Sequence, residues 1–230
     1  YVLLMRYKQS QKEVKMKKAV LFDFDGVIAD TEMKTLAYTD ELFFKYGAVL
    51  SMEEKISYIG TDGKEPTRKL LEKNGICKTA EEFLEERRAL GNVYENSQDL
   101  KPMEGLVEFL VWLKTAGYKI GIVSSTSTRL IVTALNRMKL MSFPEVLICG
   151  DMVTKKKPSP EGYRKAMEYL EVMPEETVII EDSPSGIQAG KAAGAYVIGY
   201  KGAEVQQDTT GADTLWKDYA LFEEKWKKIQ

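Results

Sequence analysis

The 230-residue chain contains no histidine. That absence excludes Ser-His-Asp and Cys-His catalysis, imidazole acid–base chemistry and His-ligated metals together. Cysteine is scarce. Cys77 and Cys149 stand far apart and in no C-x-x-C pair, so a disulfide scaffold and a Cys-rich zinc site are both ruled out. An excess of one charge is also missing: 33 Lys and Arg face 35 Asp and Glu, for a formal net charge of −2. This argues against a nucleic-acid partner held by broad positive charge. No apolar run approaches the roughly 18 residues of a membrane span. The apolar stretch at 1–5 is too short for a signal peptide, and charge follows it at once. The expectation is a cytoplasmic protein with no membrane and no nucleic-acid partner. Its chemistry must run on carboxylates, hydroxyls, Lys, Arg or an oxygen-ligated metal.

What is present is an ordinary globular composition, 44% hydrophobic and 30% charged. The length corresponds to about one and a half domains, and such a chain can bury roughly 70% of the surface its unfolded form exposes. Residues 1–15 read as a tail or a translation-start artefact ahead of Met16-Lys17-Lys18. Short Val/Ile-rich runs at 18–24, 119–123, 145–149, 177–180 and 195–199 read as buried strands. Helix-like stretches separate the later four, which implies β-α units and a parallel sheet with helices on both faces. Residues 31–100 hold no such run. They carry two capping-box signals, Ser51 with Glu54 and Thr79 with Glu82. After the second, Phe83, Leu84, Leu90, Val93 and Tyr94 fall on one helical face. A helical module inserted after the first strand is expected at 31–100, leaving 16–30 and 101–230 as the α/β core. Trp216, Phe222 and Trp226 suggest a C-terminal helix covering that core, and Phe109, Trp112 and Leu113 fit a helix on the sheet.

Four clusters follow predicted strands, at the edge where open parallel sheets bind ligands. Asp23-Phe24-Asp25-Gly26 ends the first strand with two acids and a residue that permits a sharp turn. Ser124-Ser125-Thr126-Ser127 places hydroxyls and free N–H groups at a helix start, which suits an anion and equally suits a cap. In Lys155-Lys156-Lys157-Pro158-Ser159-Pro160, Pro158 keeps Lys157 in extended backbone. Ser159 and Pro160 read as N-cap and first helical residue, and Lys155 and Lys156 as solvated surface. Glu181-Asp182-Ser183-Pro184 again ends a buried run with paired acids, which a helix dipole alone could favour. Taken together the four carboxylates repel: at an effective dielectric of about 20, one like pair about 4 Å apart costs about 4 kcal/mol. Such a cluster needs a cation, protonation or both. Oxygen-only ligands favour Mg²⁺, whose remaining sites phosphate oxygens complete.

These four runs, in this order and spacing, resemble the haloacid dehalogenase (HAD) superfamily. The resemblance covers 16–202 and is nearest the branch of β-phosphoglucomutase and phosphoglycolate-phosphatase-like enzymes. It implies a Rossmann-like parallel sheet of strand order 3-2-1-4-5 and an inserted α-helical cap. By the same resemblance Asp23 is the nucleophile, forming an aspartyl-phosphate, and Asp25 is the acid and base. Mg²⁺ takes the Asp23 carboxylate, the Asp25 carbonyl and Asp182, with Glu181 as a ligand or behind one. Ser124, the N–H of Ser125 and Lys157 hold the phosphoryl oxygens. The mutases of that branch carry a cap histidine where this chain has Thr35 or its neighbours. They also carry an arginine after a cap glycine, where Gly60 is followed by Thr61-Asp62-Gly63 and only Lys64 could substitute. Arg68 offers charge alone, and Arg87 and Arg88, following Glu81, Glu82, Glu85 and Glu86, read as a solvated ion-pair face. The expected activity is therefore Mg²⁺-dependent hydrolysis of a small phosphorylated metabolite by a monomer. A phosphomutase, a metal-free dehalogenase and a non-catalytic binding module are the rivals.

Overall fold

A computed structural model describes residues 16–229 apart from Gly60 and Asp62. The expectation for residues 1–15 lies outside the described residues. Six parallel strands form one sheet: β1 (Ala19–Phe22), β2 (Lys119–Val123), β3 (Val146–Ile148), β4 (Thr177–Glu181), β5 (Tyr196–Tyr200) and β6 (Thr214–Trp216). Their order is β3-β2-β1-β4-β5-β6. The expected order holds, and β6 extends it at one edge.

Every residue of β1 is buried, because both faces of the sheet are covered. Alternate side chains serve opposite layers. Val20, Phe22, Ile122 and Ile180 point to one cluster, with Leu106, Phe109 and Leu113 of α6 (Leu106–Thr115) and Ile131 and Leu135 of α7 (Thr128–Arg137). Ala19, Leu21 and Ile179 point to the other, with Tyr163 and Met167 of α8 (Glu161–Tyr169) and Ile187 and Ala193 of α9 (Pro184–Ala193). Fully burying a side chain such as Phe109 contributes about 1.5–3 kcal/mol.

Between β1 and β2 the chain forms α1 (Glu32–Lys45), α2 (Met52–Ile56), α3 (Lys64–Lys73), α4 (Ala80–Ala89) and the short α5 (Val93–Asn96). Residues of α1, α3 and α4 and of the adjoining loops form a separate cluster that includes Leu36, Phe43, Leu70, Leu71 and Phe83, with the Phe43 and Phe83 rings 4.4 Å apart. Both capping boxes form: Ser51 Oγ accepts from the Glu54 N–H and Thr79 Oγ1 from the Glu82 N–H, each at 3.2 Å.

Three expectations need correction. Phe83 and Tyr94 do not share one helical face. The chain breaks at Leu90-Gly91-Asn92, and Val93 and Tyr94 pack against the sheet-side cluster instead. Trp216 ends a strand, so the C-terminal helix is only α10 (Phe222–Trp226); a three-residue edge strand is too short to leave a periodic signal. Pro160 is the N-cap of α8 and Glu161 its first residue, one position later than the Ser159-Pro160 signal suggests.

Candidate active site

The register sets the site. Phe22 lies level with Ile122 of β2 and Ile180 of β4, so the next residues of all three central strands emerge together. The Asp23 N–H still donates to the Ile180 carbonyl at 3.0 Å, after which β1 ends. The chain then turns at Gly26, where φ is +77° and a Cβ would lie 2.0 Å from Asp182 Oδ2. Only glycine accommodates both the left-handed backbone and that approach. Asp25, just before the turn, lines the same cavity as Asp23.

Asp23, Glu181 and Asp182 are 8%, 0% and 4% exposed. Each offers a carboxylate oxygen, all within 4.8 Å of one another. Lys157 is the counter-charge. Its ammonium donates to Asp23 Oδ1, to Glu181 Oε1 at 2.6 Å and to the Val123 carbonyl at 2.9 Å. Burial opposes that ammonium, but Asp23 and Glu181 outweigh it and hold its pKa above the ordinary lysine value. Burial pushes the Asp23 carboxyl well above the usual carboxylate range, against the pull of Lys157. Burial, then Asp23 and Glu181, does the same to Asp182. One ammonium does not balance these acids. The donors are hard oxygens only, a set that fits a small divalent cation.

The acids are not equivalent. Glu181 Oε1 accepts from Lys157 and from the Tyr163 hydroxyl, each at 2.6 Å. Its Oε2 accepts from the Asp182 and Ser183 N–H groups and the Ser183 hydroxyl. Gly186 lies against it, where a Cβ would come within 1.9 Å of the carboxyl. Asp182 by contrast accepts one hydrogen bond among the described residues, from Gln207 Nε2 to Oδ2 at 3.2 Å. Asp25 accepts from Thr31 and Tyr94 at Oδ1 and from Thr126 at Oδ2.

A cavity of about 580 Å³ opens above these groups. Asp23, Asp25, Ser125, Thr126, Lys157 and Asp182 line one side of it. Ser124 does not line it: its Oγ is turned into its own loop, accepting from the Thr126 N–H at 3.0 Å. Thr35, Thr39, Tyr58, Thr61, Arg87 and Arg88 line the opposite side. Arg87 therefore departs from the expected solvated face. It is part-buried, donates to the Thr35 carbonyl at 2.9 Å and lies 5.7 Å from the Tyr38 ring centroid. Burial lowers its pKa. Arg88 is exposed yet also borders the cavity. Lys156, expected as plain surface, is exposed but reaches the Ser125 carbonyl at 3.2 Å beside the cavity. Lys64 points elsewhere, pairing with Glu81 at 3.4 Å.

Sequence reading missed Thr31, Tyr94, Thr126, Tyr163, Gln207 and Glu32. Thr126 belongs to the Ser124-Ser125-Thr126-Ser127 run, whose hydroxyls are its signal in the sequence. Glu32 lines the cavity, and burial, with Asp25 and Asp30 nearby, pushes its carboxyl up to about 7. Tyr94, Tyr163 and Gln207 reach the site only through tertiary packing and had no local signal.

Comparison with known proteins agrees with this geometry. Residues 20–200 match the family described as haloacid dehalogenase-like hydrolase. The chain is 30% identical to the validoxylamine A 7'-phosphate phosphatase of Streptomyces hygroscopicus subsp. limoneus, over 93% of this chain and 99% of that protein. It is 33% identical to a phosphorylated carbohydrates phosphatase of Thermotoga maritima, over 77% and 82%. The crystal structure of CbbY from Rhodobacter sphaeroides in complex with phosphate superposes with a TM-score of 0.70 at 27% identity, covering 90% of this chain and 96% of that one. Among the described residues no helix is long and apolar enough to cross a membrane. An aspartate-rich parallel sheet edge under a helical segment, matched along most of the chain, makes this protein a member of the haloacid dehalogenase-like hydrolases.

Proposed function

We propose that the chain is a Mg²⁺-dependent phosphatase that hydrolyses a small phosphate monoester, a sugar phosphate or similar metabolite, through an aspartyl-phosphate on Asp23. One observation carries the reading: Asp23, Asp182 and Lys157 converge at one sheet edge, on a cavity of metabolite size. In the proposal residues 31–100 act as a cap over a core formed by 16–30 and 101–230.

Lys157 orients the Asp23 carboxylate and neutralises charge on the phosphoryl group. The N–H of Ser125, with the Ser124 hydroxyl once its loop adjusts, holds phosphoryl oxygens. Asp23 attacks phosphorus; its new O–P bond forms as the ester P–O bond breaks, and Asp25 protonates the leaving oxygen. Water then attacks the same phosphorus, Asp25 takes its proton, and the Asp23 O–P bond breaks to free phosphate. The carboxylates of Asp23 and Asp182 and the Asp25 carbonyl would hold the ion, which supplies charge neutralisation for the transferring group. Glu181, with both oxygens already engaged, braces Lys157 and the Asp182 turn.

Hydrolysis is favoured over mutase chemistry by the cap. Thr35 lines the cavity in the region where the mutases carry histidine, and Lys64 pairs with Glu81 away from it. Gly60 and Asp62 lie outside the described residues. The test is a panel of phosphorylated metabolites assayed for phosphate and for isomers. Phosphate release that Asp23→Asn removes supports the reading; isomer formation without phosphate release overturns it.

A further inference from the structure

The reaction asks one carboxyl, Asp25, to give a proton and then regain one. Its two oxygens have different surroundings. Oδ1 accepts from the Thr31 hydroxyl at 2.5 Å and from the Tyr94 hydroxyl at 2.7 Å. Oδ2 has one longer contact, Thr126 Oγ1 at 3.3 Å. That same Oγ1 lies 3.1 Å from the Tyr94 oxygen. Three hydroxyls bring three protons. Thr31 and Tyr94 direct theirs to Oδ1, and Thr126 can direct its own to Tyr94 or to Oδ2. The contact to Tyr94 is the shorter. With Thr126 donating there, Oδ2 meets no other donor among the described residues and can carry a hydrogen itself.

We propose that Tyr94 is a positioning residue for the catalytic acid: with Thr31 it commits Oδ1 to accepting, and it draws the Thr126 proton away from Oδ2, so that Oδ2 delivers the proton to the leaving oxygen. This rests on the phosphatase reading above. In the first step the Asp23 O–P bond forms, the ester P–O bond breaks, and the Oδ2 proton passes to the departing oxygen. The ionised Asp25 then keeps both donors at Oδ1 and gains Thr126 at Oδ2 when that hydroxyl rotates. In the second step the water oxygen bonds phosphorus, its proton moves to Oδ2, and the Asp23 O–P bond breaks.

Tyr94 is held well for this task. It is 9% exposed, its ring sits 6.0 Å from that of Phe24, and its carbonyl accepts from Arg137 Nη1 at 2.8 Å. The hydroxyl comes from α5 and not from the sheet, so the acid is complete only with α5 docked.

The test is Tyr94→Phe, which keeps the ring against Phe24. Initial rates give kcat/KM, which reports steps through the first irreversible one, for two esters. Glycerol phosphate has a leaving group that needs the proton; p-nitrophenyl phosphate has one that does not. The expected result is a fall of about tenfold or more for glycerol phosphate and a clearly smaller fall for the aryl ester, at an unchanged melting temperature. Equal losses on both, or none on glycerol phosphate, overturn the proposal. In the Tyr94→Phe background, Thr126→Val removes the proton now competing for Oδ2, and part of the alkyl-to-aryl ratio returns; a further fall in that ratio also overturns it. A wild-type protein that releases phosphate from neither ester nor any member of the metabolite panel defeats the phosphatase reading itself, whereas an active wild type with an unaltered ratio in Tyr94→Phe defeats this inference alone.

Discussion

At the sheet edge Lys157 has its three donor sites on Asp23, Glu181 and Val123, whereas across the cavity Arg87 makes one hydrogen bond among the described residues, to Thr35, and rests near the Tyr38 ring. Both side chains are cationic and both line the same cavity. They differ in what surrounds them. Lys157 is embedded among buried acids, in a low dielectric where each contact is strong and directional. Arg87 lies among hydroxyls and aromatic rings. A saturated, buried constellation is preorganised and suits the transfer step. A part-buried guanidinium that lines the cavity suits an incoming ligand.

Substitutions can break or sharpen that contrast. Asp23→Asn should give the largest effect, a loss in kcat of about ten-thousand-fold or more with the fold intact; phosphate release and circular dichroism check it, and substantial residual turnover in purified protein would remove Asp23 as nucleophile. Chelation with EDTA should bring the wild type to background, and Mg²⁺ should restore it. Activity that survives chelation would break the contrast at its acidic side. Lys157→Ala should cost roughly 100-fold to 1,000-fold in kcat/KM. It should also lower stability by about 3–5 kcal/mol, because Asp23 and Glu181 remain buried without their counter-charge; urea unfolding measures the second effect. Arg87→Met should raise KM about tenfold while changing kcat little, and a kcat loss of the same size would place Arg87 with the sheet-edge groups. Thr79→Ala is the mildest: the capping box at α4 is exposed, so about 1 kcal/mol of stability should go, with kcat/KM unaltered.

Much of the sheet-edge side was legible in the chain. Asp23, Asp25, Lys157 and the Glu181-Asp182 pair each follow or lie near a strand that its apolar run reveals, and a parallel sheet gathers such strand ends at one edge. The strand order came from the family resemblance, whereas the two capping boxes were legible for the same local reason. The helical side was not. Arg87 follows four glutamates, and at helix spacing that pattern suggests solvated ion pairs, yet the α4 face carrying Arg87 turns toward Thr35, 52 residues away in sequence. Tyr94 reads as one more apolar residue after Phe83 until the break at Leu90-Gly91-Asn92 sends it to the sheet and to Asp25. The strand β6 escaped because three residues at a sheet edge carry no usable period.

The sequence alone determined which chemistry was available. Without histidine, and with acids placed after apolar strand runs, only oxygen ligands, hydroxyls and lysine could act, and the resemblance rested on those same runs. Tertiary structure decided how these groups divide their work. Whether a carboxylate is free or satisfied depends on donors that arrive from distant segments: Tyr163 and Lys157 saturate Glu181, while Asp182 takes one bond from Gln207. Hydrogen bonding and burial are properties of packed neighbours, and a linear pattern specifies neighbours only within a turn or a strand.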